Sequence, residues 1–165
     1  MITPRYVQTM AAYNAEMNRR WYAAADRLTD AQRNENRGAF FGSLHGTLCH
    51  LVWADQMWMS RFAGWDKPPV VQKDSPHMIT DWDELCASRV RQDTALATWA
   101  GSVTQGWLDG DLTWFSGGAQ RELRMGRGLL VTHMFNHQTH HRGQAHAVMT
   151  GFGQDPGTTD LPFVL

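Results

Sequence analysis

The chain has 165 residues, with 15 Lys+Arg, 16 Asp+Glu, 8 His and 2 Cys, and a formal net charge of −1. This length reads as one domain over residues 1–165, enough to bury roughly two thirds of the unfolded surface. The near-neutral charge excludes a strongly basic nucleic-acid binder and gives no pull toward anionic membranes; a hydrophobic share of 42% excludes a disordered chain, and two Cys exclude a disulfide scaffold or a thiolate zinc finger.

Thr3 before Pro4 is a favoured helix start, and Tyr6, Met10, Tyr13, Met17 and Trp21 recur at spacings of three and four. A first helix is expected over 4–28. A second is expected over 43–62: Gly42-Ser43 supplies break and cap, and Leu44, Leu48, Leu51, Trp58 and Phe62 fill one stripe. Asp55 takes the remaining rung of that stripe, and Gly64 with Pro68-Pro69 ends the helix. Residues 68–80 read as loop. Asp81, with Glu84 three residues on, reads as a capping box opening a third helix to about Val103, on whose surface Arg89 and Asp93 pair. Leu112–Phe115 and Arg121–Met125 flank Gly117-Gly118 as a small β-hairpin. A fourth helix runs from about Gly128 to Thr150, before Gly151, Gly153 and Pro156. The apolar tail from Leu161 to Leu165 is expected to pack back on the helices, and the helical tryptophans to be mostly core. The sum is an all-α four-helix bundle with a small β-hairpin between the third and fourth helices. No window approaches a membrane span and no apolar leader is visible, so the expected compartment is a reducing cytoplasm.

The histidines are concentrated: all but His77 fall on the second and fourth helices. His133, His137 and His141 are spaced by four, so each step advances about 40° around the axis and the three form a ladder on one face. Neighbouring rungs, with Cβ atoms about 5–6 Å apart, can aim at one metal ion. The same side carries Leu130, Met134, Ala145 and Val148, so the ladder faces inward. A buried imidazole cluster needs either hydrogen-bond partners or an ion. The second helix offers His45 and His50, which lie about 140° apart and do not chelate together.

Three stretches together resemble the DinB/YfiT-like family of metal-dependent proteins, which is unrelated to the translesion polymerase of that name. They are Tyr13-Asn14 with Asn18; Phe40-Phe41-Gly42-Ser43-Leu44-His45-Gly46-Thr47-Leu48-Cys49-His50-Leu51 leading to Asp55; and His137 through Gln144. Leu161-Pro162-Phe163 also fits, so the resemblance covers nearly the whole chain. It implies a bundle in up-down-down-up order, often a homodimer, with metal ligands His50, His137 and His141. His133 is then the chief rival ligand, His140 flanks the site, and His77 and His146 face solvent or a partner.

Neutral imidazoles suit a divalent ion, Zn or Ni first and Fe or Mn after them. Three protein ligands leave an open position, the mark of a catalytic rather than a structural site. Each ligand needs an acceptor on its other nitrogen; Glu16, Asn14, Asn18 and Asp55 are the candidates, with a helix–helix salt bridge as the alternative for Asp55. Arg142 reads as structural, paired with a carboxylate, Gly143 as a place for close helix approach, and Cys49 as a small core residue. By resemblance the protein is a thiol-dependent transferase or isomerase that activates a low-molecular-weight thiol on the metal, acting on a small-molecule substrate with no nucleic-acid or membrane partner. The alternatives are a metal-dependent hydrolase and a non-enzymatic, stress-related metal-binding protein.

Overall fold

A computed structural model describes residues 1–165, and the chain is mostly helical. The elements run α1 (Pro4–Ala25), α2 (Asp30–Asn34), α3 (Leu44–Phe62), a 3-10 turn (Gln72–His77), α4 (Trp82–Ser102) and α5 (Gln105–Asp109). Strands β1 (Asp111–Ser116) and β2 (Arg121–Gly126) follow, then α6 (Arg127–Gly151) and α7 (Leu161–Val164). Thr3, Ser43 and Asp81 each cap their helix by accepting a backbone N–H three residues on. The strands pair antiparallel, with Trp114 opposite Leu123.

Among the long helices, α1 packs on α4 and α6, and α3 packs on the same two. Each therefore buries two flanks. Two apolar clusters result, one around Trp21, Leu48, Leu85 and Met149, the other around Val7, Met59, Leu96 and Phe135, and both draw on all four long helices. Trp21, Trp53 and Trp82 are buried, whereas Trp58 and Trp99 are half-buried. No helix is long and apolar enough to cross a membrane.

Several expectations are corrected. The first helix ends at Ala25, not Leu28, because tightening bonds from Arg27 N to Ala24 O and from Leu28 N to Ala25 O close it. Arg33 of α2 then donates to the Ala25 and Leu28 carbonyls, satisfying the freed helix end. The 68–80 loop contains the 3-10 turn, with Ser75 and Pro76 buried. The capping box on α4 is half made: Asp81 accepts from Glu84 N, but the Glu84 carboxylate turns to Ser88 and Arg91. Arg89 and Asp93 pair, yet inside the protein rather than on its surface. The tail stays largely outside: Phe163 is 76% exposed, because a four-residue helix turns only Val164 toward the core. Tyr13 Oη ties the segment down by donating to the Thr159 carbonyl at 2.6 Å. Gly143 is exposed and nothing approaches it.

Candidate metal centre

α3 and α6 lie side by side and bring His50, His137 and His141 together, with one ring nitrogen from each within 4.8 Å of the others. His50 Nε2 and His137 Nε2 are 3.3 Å apart. Two imidazole nitrogens held at about 2.0–2.1 Å by a tetrahedral ion are separated by about 3.3–3.4 Å, so this spacing suits a shared ion. His133 stays outside the trio, exposed, 6.0 Å from the His137 ring and edge-on to Trp58.

The outer nitrogens fix which ring atoms face inward. His50 Nδ1 lies 2.8 Å from Ser75 Oγ, whose hydroxyl donates to the Gln72 carbonyl at 2.6 Å. The serine oxygen is therefore the acceptor and His50 Nδ1 carries the hydrogen, leaving Nε2 with a bare lone pair. His141 Nδ1 lies 2.9 Å from Gln144 Oε1, and the Gln144 amide in turn donates to His140 Nε2 at 3.2 Å. His141 Nε2 is thus also bare. One proton on His137 Nε2 bridges it to His50 and leaves His141 unmatched; a cation matches all three.

The surroundings keep these rings neutral. Phe41 stacks on His50 with centroids 3.7 Å apart, and Trp53 lies nearly parallel to the same ring at 5.7 Å. Burial, reinforced by the neighbouring imidazoles, pulls His50 down to about 3 and His137 down to about 4. Burial lowers His141 too, against the Gln144 hydrogen bond. Neutral imidazole is the metal-binding form, so the site is ready for an ion at physiological pH.

Glycine 46 lets this wall close. A Cβ there would lie 2.6 Å from the Phe41 carbonyl oxygen and 3.2 Å from Pro76 Cβ. Both the Phe40–Phe41 loop and the 3-10 turn carrying Ser75 settle on α3 through that gap.

None of the four expected acceptors reaches the trio. Glu16 binds Arg19 and Arg20, Asn14 accepts from Arg142, Asn18 donates to Asp93, and Asp55 takes the helix–helix salt bridge with Arg89 at 2.8 Å. Ser75 and Gln144 hold those places. Gln144 had a signal, three residues after His141 on one helix face; Ser75, inside an aperiodic stretch, had none. Arg142 is buried and structural, but its partners are the amide oxygens of Asn14 and Gln138 rather than a carboxylate. Cys49 is buried beside Ile79. His45 is buried on the Ile79 carbonyl, His77 is exposed, and His146 is half-buried against Trp21.

The family model described as the DinB family matches residues 1–165. A crystal structure of a DinB-like protein from Bacillus cereus ATCC 10987 is similar in fold, with a TM-score of 0.63 and 22% identity over 86% of this chain and 89% of that one. No curated protein matches the chain.

Proposed function

The chain belongs to the DinB family, and from that premise we propose that it holds one divalent ion on His50, His137 and His141 and is a thiol-dependent transferase or isomerase. The observation that carries this reading is the pair of Nε2 atoms 3.3 Å apart, with the outer nitrogens of His50 and His141 already engaged. When bound, an ion with an open position lowers the pKa of a coordinated thiol and holds it as the thiolate.

The chain's own residues do the rest. Ser75 and Gln144 hold the rings of His50 and His141 in the tautomer that turns Nε2 inward. Phe41 and Trp53 keep the His50 side of the site apolar, which strengthens the pull of any cation on a nearby anion. The groups that touch the ring nitrogens are Ser75, Gln144 and the histidines themselves, and no carboxylate pairs with any of the three rings to serve as base for a water. That favours thiol chemistry over base-assisted hydrolysis. Zn or Ni is the ion this donor set suits best. We place the reaction in a four-helix-bundle domain spanning the chain, in a cytoplasmic homodimer acting on a small molecule.

Elemental analysis of protein purified without a metal column tests the site: about one ion per chain is expected, and its loss in His50→Ala. Full metal content in that variant overturns the ligand set. The activity is tested by incubating glutathione, mycothiol or bacillithiol with a panel of electrophiles; consumption must require both ion and thiol, and consumption indifferent to a chelator contradicts the reading.

A further inference from the structure

His50 is followed on α3 by Trp58 and Arg61. Eleven residues separate His50 from Arg61, close to three full turns, so both lie on one face, roughly 16 Å apart along the axis. From the trio toward the hairpin the contacts are continuous. His133 is 6.0 Å from His137, Trp58 is edge-on to His133 at 5.3 Å, and Trp114 of β1 is edge-on to Trp58 at 6.1 Å. Arg61 closes the strip, its guanidinium 4.6 Å from the Trp58 ring and 5.6 Å from Trp114.

Arg61 differs from the other cations held inside this protein. Arg89 has two carboxylates and Arg33 has carbonyls and Asp30. Arg61 has only indole faces. Burial pulls its pKa below the ordinary value and no carboxylate offsets that pull. A cation–π contact attracts the guanidinium without using up its N–H donors. A guanidinium that lies against two indoles and has no protein acceptor can offer its N–H fork to a carboxylate. One guanidinium, with no second cation on either indole, matches a single negative charge.

We propose that Trp58, Trp114 and Arg61 form a subsite for the far end of an extended ligand, an apolar segment lying on the indoles and a carboxylate on Arg61. This rests on the metal-centre reading only for the near end, which the trio receives. His133, exposed beside both, borders the path between the two ends.

The test uses 4-phenylbutyrate and its uncharged counterpart 4-phenylbutanol, followed by the indole N–H resonances of metal-free and metal-loaded protein. The carboxylate is expected to bind about tenfold more tightly, the worth of one hydrogen bond to a charged group, and to shift Trp58 and Trp114 but not Trp82. Arg61→Gln abolishes the preference; Arg61→Lys, which keeps the charge and serves as the folding control, retains part of it. Equal binding of the two probes, a preference that survives Arg61→Gln, shifts confined to other indoles, or no shift at Trp58 and Trp114 overturns the subsite. If the protein retains no metal yet the preference holds in the metal-free form, the metal-centre reading fails alone. If one ion is retained and the preference is absent, only the subsite fails.

Discussion

Arg89 with its carboxylates lies as deep in the protein as the histidine trio does at its innermost ring: Arg89 is 2% exposed and His50 is 1% exposed. The two clusters balance burial differently. Arg89 reaches Asp55 and Asp93, each at 2.8 Å, and Asn18 donates to both oxygens of Asp93 at 3.0 and 3.2 Å. Opposite charges meet here between α3 and α4, with Asn18 of α1 adding hydrogen bonds, although Nε and Nη2 of Arg89 have no well-formed hydrogen-bond partner. In the trio the outer nitrogens of His50 and His141 are answered by Ser75 and Gln144, and the inner ones meet only one another. The inner nitrogens converge on one point, where the fold supplies no opposite charge and only the one proton that His50 and His137 can share. Burial alone therefore does not separate the two clusters; the presence of opposite charge in one and its absence in the other does.

The contrast is sharpest where a partner is removed. Arg89→Ala leaves Asp55 buried and Asp93 half-buried without their cation and is expected to cost about 3–5 kcal/mol in chemical denaturation, while the metal content of the folded fraction stays at one ion per chain. A loss under 1 kcal/mol would show that the cluster is hydrated rather than mutually compensated. Removing a support of the trio acts on the opposite property. Ser75→Ala and Gln144→Ala are each expected to weaken metal affinity by about 10–100-fold in competition with a chelator, with only a small change in stability. An affinity that stays at the wild-type value would show that these hydrogen bonds do not set the ring orientation.

The smallest effect is the response to pH. The folded pKa of His50, about 3, lies below its unfolded value near 6.5, so the unfolded chain takes up the proton first. The stability that goes with neutral His50 is complete above pH 6.5 and falls as pH drops through the window down to about 3; His137 follows down to about 4. For His50 the loss is about 1 kcal/mol one pH unit below 6.5. Denaturation of metal-free protein between neutral and mildly acid pH measures it, and His50→Phe should flatten the slope. A flat wild-type profile would place the trio in a solvated setting.

Long elements were legible because periodicity needs several turns to show. The stripe through Tyr13, Met17 and Trp21, the caps at Thr3, Ser43 and Asp81, and the strands around Gly117-Gly118 appear where expected. The five-residue helices α2 and α5 are too short for a period. Only local chemistry marks them: the Thr29–Gln32 capping box and the Thr104 cap. Helical spacing placed three histidines on one face of α6 without distinguishing among them, and resemblance chose His137 and His141. In the fold α3 brings His50 against His137 and His141, while His133 lies against Trp58. The i,i+4 spacing of Arg89 and Asp93 sets who can touch, not whether water reaches them. Asp55, on a different helix, settles that.

The account turns on an ion being what completes the trio. X-ray absorption at the edge of the metal in loaded protein measures this most directly. The account predicts three imidazole nitrogens at about 2.0–2.1 Å, with lighter ligands filling the remaining position, and a spectrum that changes in His50→Ala. A shell without imidazole scattering, or one unaltered by that substitution, would contradict it.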